Sequence, residues 1–158
     1  MLSVRSLHGT GTVTSENVRI LVVDDEPAIR ALVKKIVSRA GFIVDDARDG
    51  AEAIEKLAGG DYGVLVIDLM MPNVDGYGVI DYVRDRGGRR PAIIVISAAD
   101  SAHFRRLDGA MVHSIVRKPF DIDVLADLIA AAAQTVAEQD AAADDDKVLQ
   151  FRRESQAC

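Results

Sequence analysis

Val64-Leu65-Val66-Ile67-Asp68-Leu69-Met70-Met71-Pro72-Asn73-Val74-Asp75-Gly76 is the stretch on which the fold turns. Four apolar residues, three of them β-branched, run without a polar break and stop at a carboxylate. An uninterrupted apolar run of this length suits a strand buried on both faces of a parallel sheet. Asp68 then stands at the strand's carboxyl end, where open α/β sheets place their chemistry. Met71-Pro72 and Asp75-Gly76 mark the loop that follows.

Working outward, strand-like and helix-like segments alternate. Val18 to Val23 (VRILVV) reads as a first strand and runs into Asp24-Asp25-Glu26-Pro27. Proline suits the first turn of a helix, where its missing N–H costs nothing. Ala28, Ile29, Leu32, Val33, Ile36 and Val37 recur at helical spacing, and Gly41 stops that helix. Phe42 to Val44 is a short second strand, and Ala51 to Ala58 a short helix. After the central stretch come a helix from about Tyr77 to Asp85, a strand from Ala92 to Ile96 and a weak helix from Ser101 to Leu107. Ser114 to Val116 forms a short fifth strand. A last helix, capped by Asp121, is expected to run to about Glu138 with Val124, Leu125, Leu128, Ile129, Ala132 and Val136 on its buried side. Five alternations of strand and helix predict an α/β fold: a doubly wound, five-stranded parallel sheet.

The chain has 158 residues, 49% apolar and 28% charged, enough for one globular domain with a real core. Aromatics are only 4%, so the core must be aliphatic. The net charge of −6 argues against a general nucleic-acid binder. The single cysteine, Cys158, excludes an internal disulfide and a cysteine zinc site. No secretion signal and no apolar run long enough to span a membrane is visible, so a cytoplasmic location is expected. Residues 1–17 read as a disordered leader, 18–138 as the folded domain, and 139–158 as an acidic, flexible tail. No DNA-binding domain or other second domain is visible.

Four strand ends carry polar groups: Asp24 and Asp25, Asp68, Ser97 and Lys118. In a parallel sheet these ends share one edge. Three converging carboxylates repel unless a cation joins them. Oxygen ligands beside phosphate suit Mg²⁺ (or Mn²⁺). Lys118 offers a point charge for a phosphoryl oxygen and Ser97 a hydroxyl donor. Together they suit phosphoryl transfer onto a carboxylate nucleophile.

The segments LVVDDEP (21–27), VIDLMMPNVDG (66–76), IIVISA (93–98) and VRKPF (116–120) resemble the receiver domain of two-component response regulators, over about residues 18–138. The resemblance implies a flavodoxin-like sheet of order 2-1-3-4-5 and a cis Lys118-Pro119 bond. It implies that Asp68 accepts a phosphoryl group from a sensor histidine kinase or phosphotransfer protein. Asp25, Asp68 and the backbone carbonyl of Met70 then ligate the metal directly, and Asp24 does so through water. Ser97 and Lys118 contact the phosphoryl group, and a downstream protein of unknown identity reads the change. The expected whole is a stand-alone switch and not a classified enzyme. The alternative is an adaptor of the same fold that works without phosphorylation. An aspartate-nucleophile phosphatase would need an acid where Met70 stands, and no G-x-G-x-x-G follows the first strand to support a dinucleotide site.

The chain departs from that family at four points. Ile115 stands where an aromatic is usual, three residues before Lys118, and neither His113 nor Phe104 is an evident substitute. Gly109-Ala110 comes too early to close a full fourth helix, which is therefore expected to be short or shifted. Met70 and Ala99 occupy the positions two beyond Asp68 and Ser97, where a polar side chain would orient an attacking water.

Overall fold

A computed structural model describes residues 17–156. The element order is β1 (Arg19–Val23), α1 (Pro27–Arg39), β2 (Ile43–Ala47), α2 (Gly50–Gly59), β3 (Val64–Ile67), α3 (Gly76–Arg86), β4 (Ala92–Ser97), α4 (Ser101–Phe104), β5 (Val112–Arg117) and α5 (Ile122–Gln156). All strand pairs are parallel and the sheet order is β2-β1-β3-β4-β5. The expected doubly wound, flavodoxin-like α/β architecture is therefore the one found. Apart from Asn17, the expected leader falls outside the described residues, as does Cys158.

Two aliphatic cores follow from the two-residue period of a strand. Leu21, Val23, Leu65, Ile67, Ile93 and Val95 face α2 and α3 with Leu57, Val79 and Val83. Their neighbours Ile20, Val22, Val64, Val66, Ile94 and Ile96 face α1 and α5 with Val33, Leu125 and Ile129. Every residue of β3 is buried, as its unbroken apolar run requires. Each such side chain contributes about 1.5–3 kcal/mol.

Several expected boundaries move, each for a physical reason. β2 lies later and runs longer than Phe42 to Val44, because Asp45 and Asp46 belong to it and are paired. Asp45 bonds Arg19 (2.6 Å) and the Tyr62 hydroxyl (2.7 Å). Asp46 bonds Lys34 (2.8 Å) and Arg30 (3.1 Å). β5 is six residues instead of three, an edge strand whose alternation is half-buried against exposed. α4 is a single turn of four residues, capped by the Asp100 carboxylate on the Ala102 and His103 amides. Val124 is exposed, not buried, because the inward stripe of α5 starts at Leu125. The Lys118-Pro119 bond is cis, as expected.

The largest difference is at the end. The expected flexible tail from residue 139 is instead a continuation of α5, unbroken to Gln156. No glycine or proline follows Pro119 to stop it, and alanine-rich sequence carries the highest helix propensity. An Arg89–Asp140 ion pair ties this helix to the loop after α3.

Lys34 is the largest influence on Asp46 and, together with Arg30, holds its carboxyl below the usual range against the opposing effect of burial. A depressed pKa contributes stability above the unfolded value and loses it as pH falls through the folded one. Asp46→Asn is therefore expected to cost about 1 kcal/mol at neutral pH. Urea unfolding should show the deficit disappearing below about pH 4; a gap unchanged in acid would refute this account.

Candidate functional site

The carboxyl ends of β1, β3 and β5 each continue one hydrogen bond beyond the strand, and this fixes the polar residues. The Asp24 amide donates to the Ala47 carbonyl (3.3 Å), that of Asp68 to Val23 (3.0 Å), and that of Lys118 to Ser97 (3.0 Å). The five residues singled out in the sequence all stand along this edge, though not all in mutual contact.

Asp24 and Asp68 are held alike. One oxygen of each is engaged locally: Asp24 Oδ1 accepts from the Glu26 amide (2.9 Å) and Asp68 Oδ1 from the Met70 amide (3.1 Å). The other oxygens turn toward one ammonium. Lys118 Nζ lies 2.8 Å from Asp24 Oδ2 and 3.1 Å from Asp68 Oδ2. It also reaches Glu26 Oε1 at 3.1 Å. Arg30 secures the loop from outside by donating to the Asp24 carbonyl (2.8 Å).

Asp24 has no exposed surface, and burial pushes its carboxyl above the usual range, with Lys118 pulling it back. Burial works to lower the Lys118 pKa, but its contacts with Asp24 and Asp68 outweigh this and raise it. The ammonium approaches Asp24 Oδ2 off the hydrogen-bonding direction, so this buried oxygen has no hydrogen bond. Oxygens from Asp24, Asp25, Glu26 and Asp68 all lie within 4.8 Å of one another. Four carboxylates against one ammonium, with an orphaned buried oxygen among them, form a donor set suited to a hard divalent cation. The residues present fit such an ion.

Ser97 is buried, and its hydroxyl accepts from the Ala99 amide (3.2 Å). Met70 projects its side chain outward and is 52% exposed. Glu26 is the member that sequence reasoning missed as a site residue. Its signal was available: it directly follows Asp24-Asp25 and precedes the helix-opening Pro27.

The segment between β4 and β5 is held by aromatic contacts. The Tyr77 hydroxyl donates to the His103 carbonyl, and the Arg106 guanidinium lies 4.5 Å from the Tyr77 ring centre. The Arg117 guanidinium lies 5.4 Å from that of Phe104. Ile115 is 44% exposed on β5.

Residues 20–130 match the family described as the response regulator receiver domain. The response regulator MprA of Mycobacterium ulcerans is 40% identical over 131 residues, which cover 81% of this chain and 56% of the relative. The transcriptional regulatory protein TcrA of Mycobacterium tuberculosis is 36% identical over 109 residues, 68% of this chain and 43% of the relative. The chain thus spans about half the length of these curated relatives. Among solved structures, the response regulator TrrA of Thermotoga maritima, in complex with Mg²⁺ and BeF, is 33% identical with a TM-score of 0.65. It covers 73% of this chain and 98% of that one. The receiver domain of the Francisella response regulator 1452 is 29% identical with a TM-score of 0.68, covering 75% and 98%.

One glycine lets the loop after Asp68 close. The Gly76 amide donates to the Leu69 carbonyl (3.0 Å). A Cβ there would sit 2.4 Å from the Asp68 carbonyl oxygen and 2.6 Å from Leu69 Cα, both backbone atoms that cannot swing aside. Gly76→Ala is expected to destabilise the domain by about 1–3 kcal/mol, read as a lower urea midpoint. An alanine variant as stable as wild type would mean the loop is free to shift.

Proposed function

This chain belongs to the response regulator receiver domain family, and from that premise we propose that Asp68 is its phosphoacceptor. A phosphohistidine of a sensor histidine kinase or phosphotransfer protein is the donor. An Asp68 carboxylate oxygen attacks phosphorus, the P–N bond breaks, and the histidine nitrogen leaves with the bonding pair. The observation that carries this reading is the Lys118 ammonium, 2.8 Å from Asp24 and 3.1 Å from Asp68 inside a cluster of four carboxylates.

Each residue then has a task. Asp25, Asp68 and the Met70 carbonyl would hold Mg²⁺ (or Mn²⁺), with Asp24 assisting. When bound, the ion would supply neutralisation of the charge that develops on the transferring oxygens. Lys118 holds a phosphoryl oxygen, and Ser97 turns its hydroxyl from the Ala99 amide toward the phosphoryl group. The Thermotoga relative, in complex with Mg²⁺ and BeF, supports a Mg²⁺-dependent reading. The phosphorylated carboxylate carries ~1.5–2 negative charges and three acceptor oxygens, and this is what a protein partner reads through the β4–β5 side of the domain. Beside Lys118, a groove lined by Ile29, Leu32, Pro119, Phe120 and Ile122 offers an apolar seat for a helix of the donor. Among the described residues no helix is long and apolar enough to cross a membrane.

Incubation with a small phosphodonor and Mg²⁺ is expected to add the mass of one phosphoryl group to the wild type. Asp68→Asn should gain nothing, and chelation of the metal should abolish transfer. Equal labelling of Asp68→Asn would overturn the assignment; no labelling of either would favour the phosphorylation-independent adaptor.

The same positions set the lifetime of the product. Neither the thioether of Met70 nor the methyl of Ala99 can accept a proton from an attacking water or orient it. The acyl phosphate is expected to decay slowly, on a scale of many minutes or longer, and Met70→Glu or Ala99→Gln should speed its loss. Decay of the wild type within seconds would contradict this.

A further inference from the structure

Beyond Ala141, α5 leaves the domain and every described residue is exposed. About 22 Å of helix projects here, at 1.5 Å per residue. It carries three large apolar side chains, Val148 (52% exposed), Leu149 (53%) and Phe151 (71%). At 3.6 residues per turn, Asp144, Asp145, Val148, Phe151 and Arg152 share one side, with Leu149 at its margin. The helix runs without a break from Ile122, so its own domain cannot fold back to cover that side.

Charge is divided along the projection. Asp144, Asp145 and Asp146 precede the apolar residues, and Arg152 and Arg153 follow them. We infer that this segment pairs antiparallel with the same segment of a second copy of this chain, about a two-fold axis between Val148 and Leu149. That axis brings Val148 level with the second copy's Leu149. It also sets Asp145, on the same side, level with Arg152, and the symmetry repeats this pairing on the other half. An isologous contact of this kind needs one self-complementary surface, and the segment provides it. A parallel arrangement would set aspartates against aspartates and arginines against arginines, so charge selects the antiparallel one. With three apolar residues per copy, the association is weak and reversible, and its charge component is screened by salt.

Sedimentation equilibrium of the full chain is the test. A concentration-dependent monomer–dimer equilibrium is expected. The charge reversal Asp145→Arg should weaken it about tenfold, as should Arg152→Asp. Combining the two substitutions should restore it. These positions are exposed and outside the domain core, so each variant keeps its fold, which circular dichroism verifies. A monomer at the highest soluble concentration would overturn the proposal. So would a dimer indifferent to both reversals, or a double variant that fails to recover.

Discussion

A single ammonium holds the carboxyl edge of this sheet together. β1 and β5 are three strand spacings apart, roughly 14 Å, and Lys118 bridges from the end of one to Asp24 at the end of the other. It passes the end of β4, where Ser97 lies, and touches Asp68 at the end of β3 on the way. Without it Asp24 would be a fully buried carboxylate with only the Glu26 amide to compensate it. An uncompensated buried charge of that kind costs several kcal/mol. The position of Lys118 is in turn fixed by its own backbone amide, which donates a hydrogen bond to the Ser97 carbonyl. Four loops are thereby organised around one point, and the fold and the site are parts of one constraint.

Much of this was legible because the physics that makes β3 also makes it conspicuous. A strand covered on both faces can hold no polar residue, so Val64 to Ile67 read as continuous apolar sequence and Asp68 stood out as its end. β2 was misplaced for the converse reason. It sits at a sheet edge where Asp45 and Asp46 can point at Arg19, Arg30 and Lys34, and pairing of that kind has no local signature. Glu26 was overlooked because its role depends on Lys118, 92 residues away. The extension of α5 was misjudged on composition: a run of Asp residues suggested solvation, whereas the absence of glycine and proline and the tether from Arg89 to Asp140 were the deciding features.

The short α4 has a related explanation. A single turn has too few backbone hydrogen bonds to define the path between β4 and β5. Side chains do so instead, with the Tyr77 hydroxyl on the His103 carbonyl and guanidinium groups over Tyr77 and Phe104. Contacts of this sort are individually worth about 0.5–1 kcal/mol at exposed sites. A segment held this way belongs to the low-stability end of the structure, from which switching elements are drawn. Ile115, exposed on the adjoining strand, cannot supply the polar handle that an aromatic hydroxyl would.

The proposed chemistry places a specific demand on Lys118. An ammonium has three donors, and here three carboxylates surround it: Asp24, Asp68 and Glu26. Only Asp68 and Glu26 accept a hydrogen bond from it, so a phosphoryl oxygen competes with these two for its donors. Asp24 is fully buried and loses most if abandoned, and Asp68 is the group being modified. Glu26, whose side chain is 59% exposed, can return to water at little cost because surface ion pairs are weak. The residue that the sequence reading passed over is therefore the one whose partner changes most readily when the site is charged.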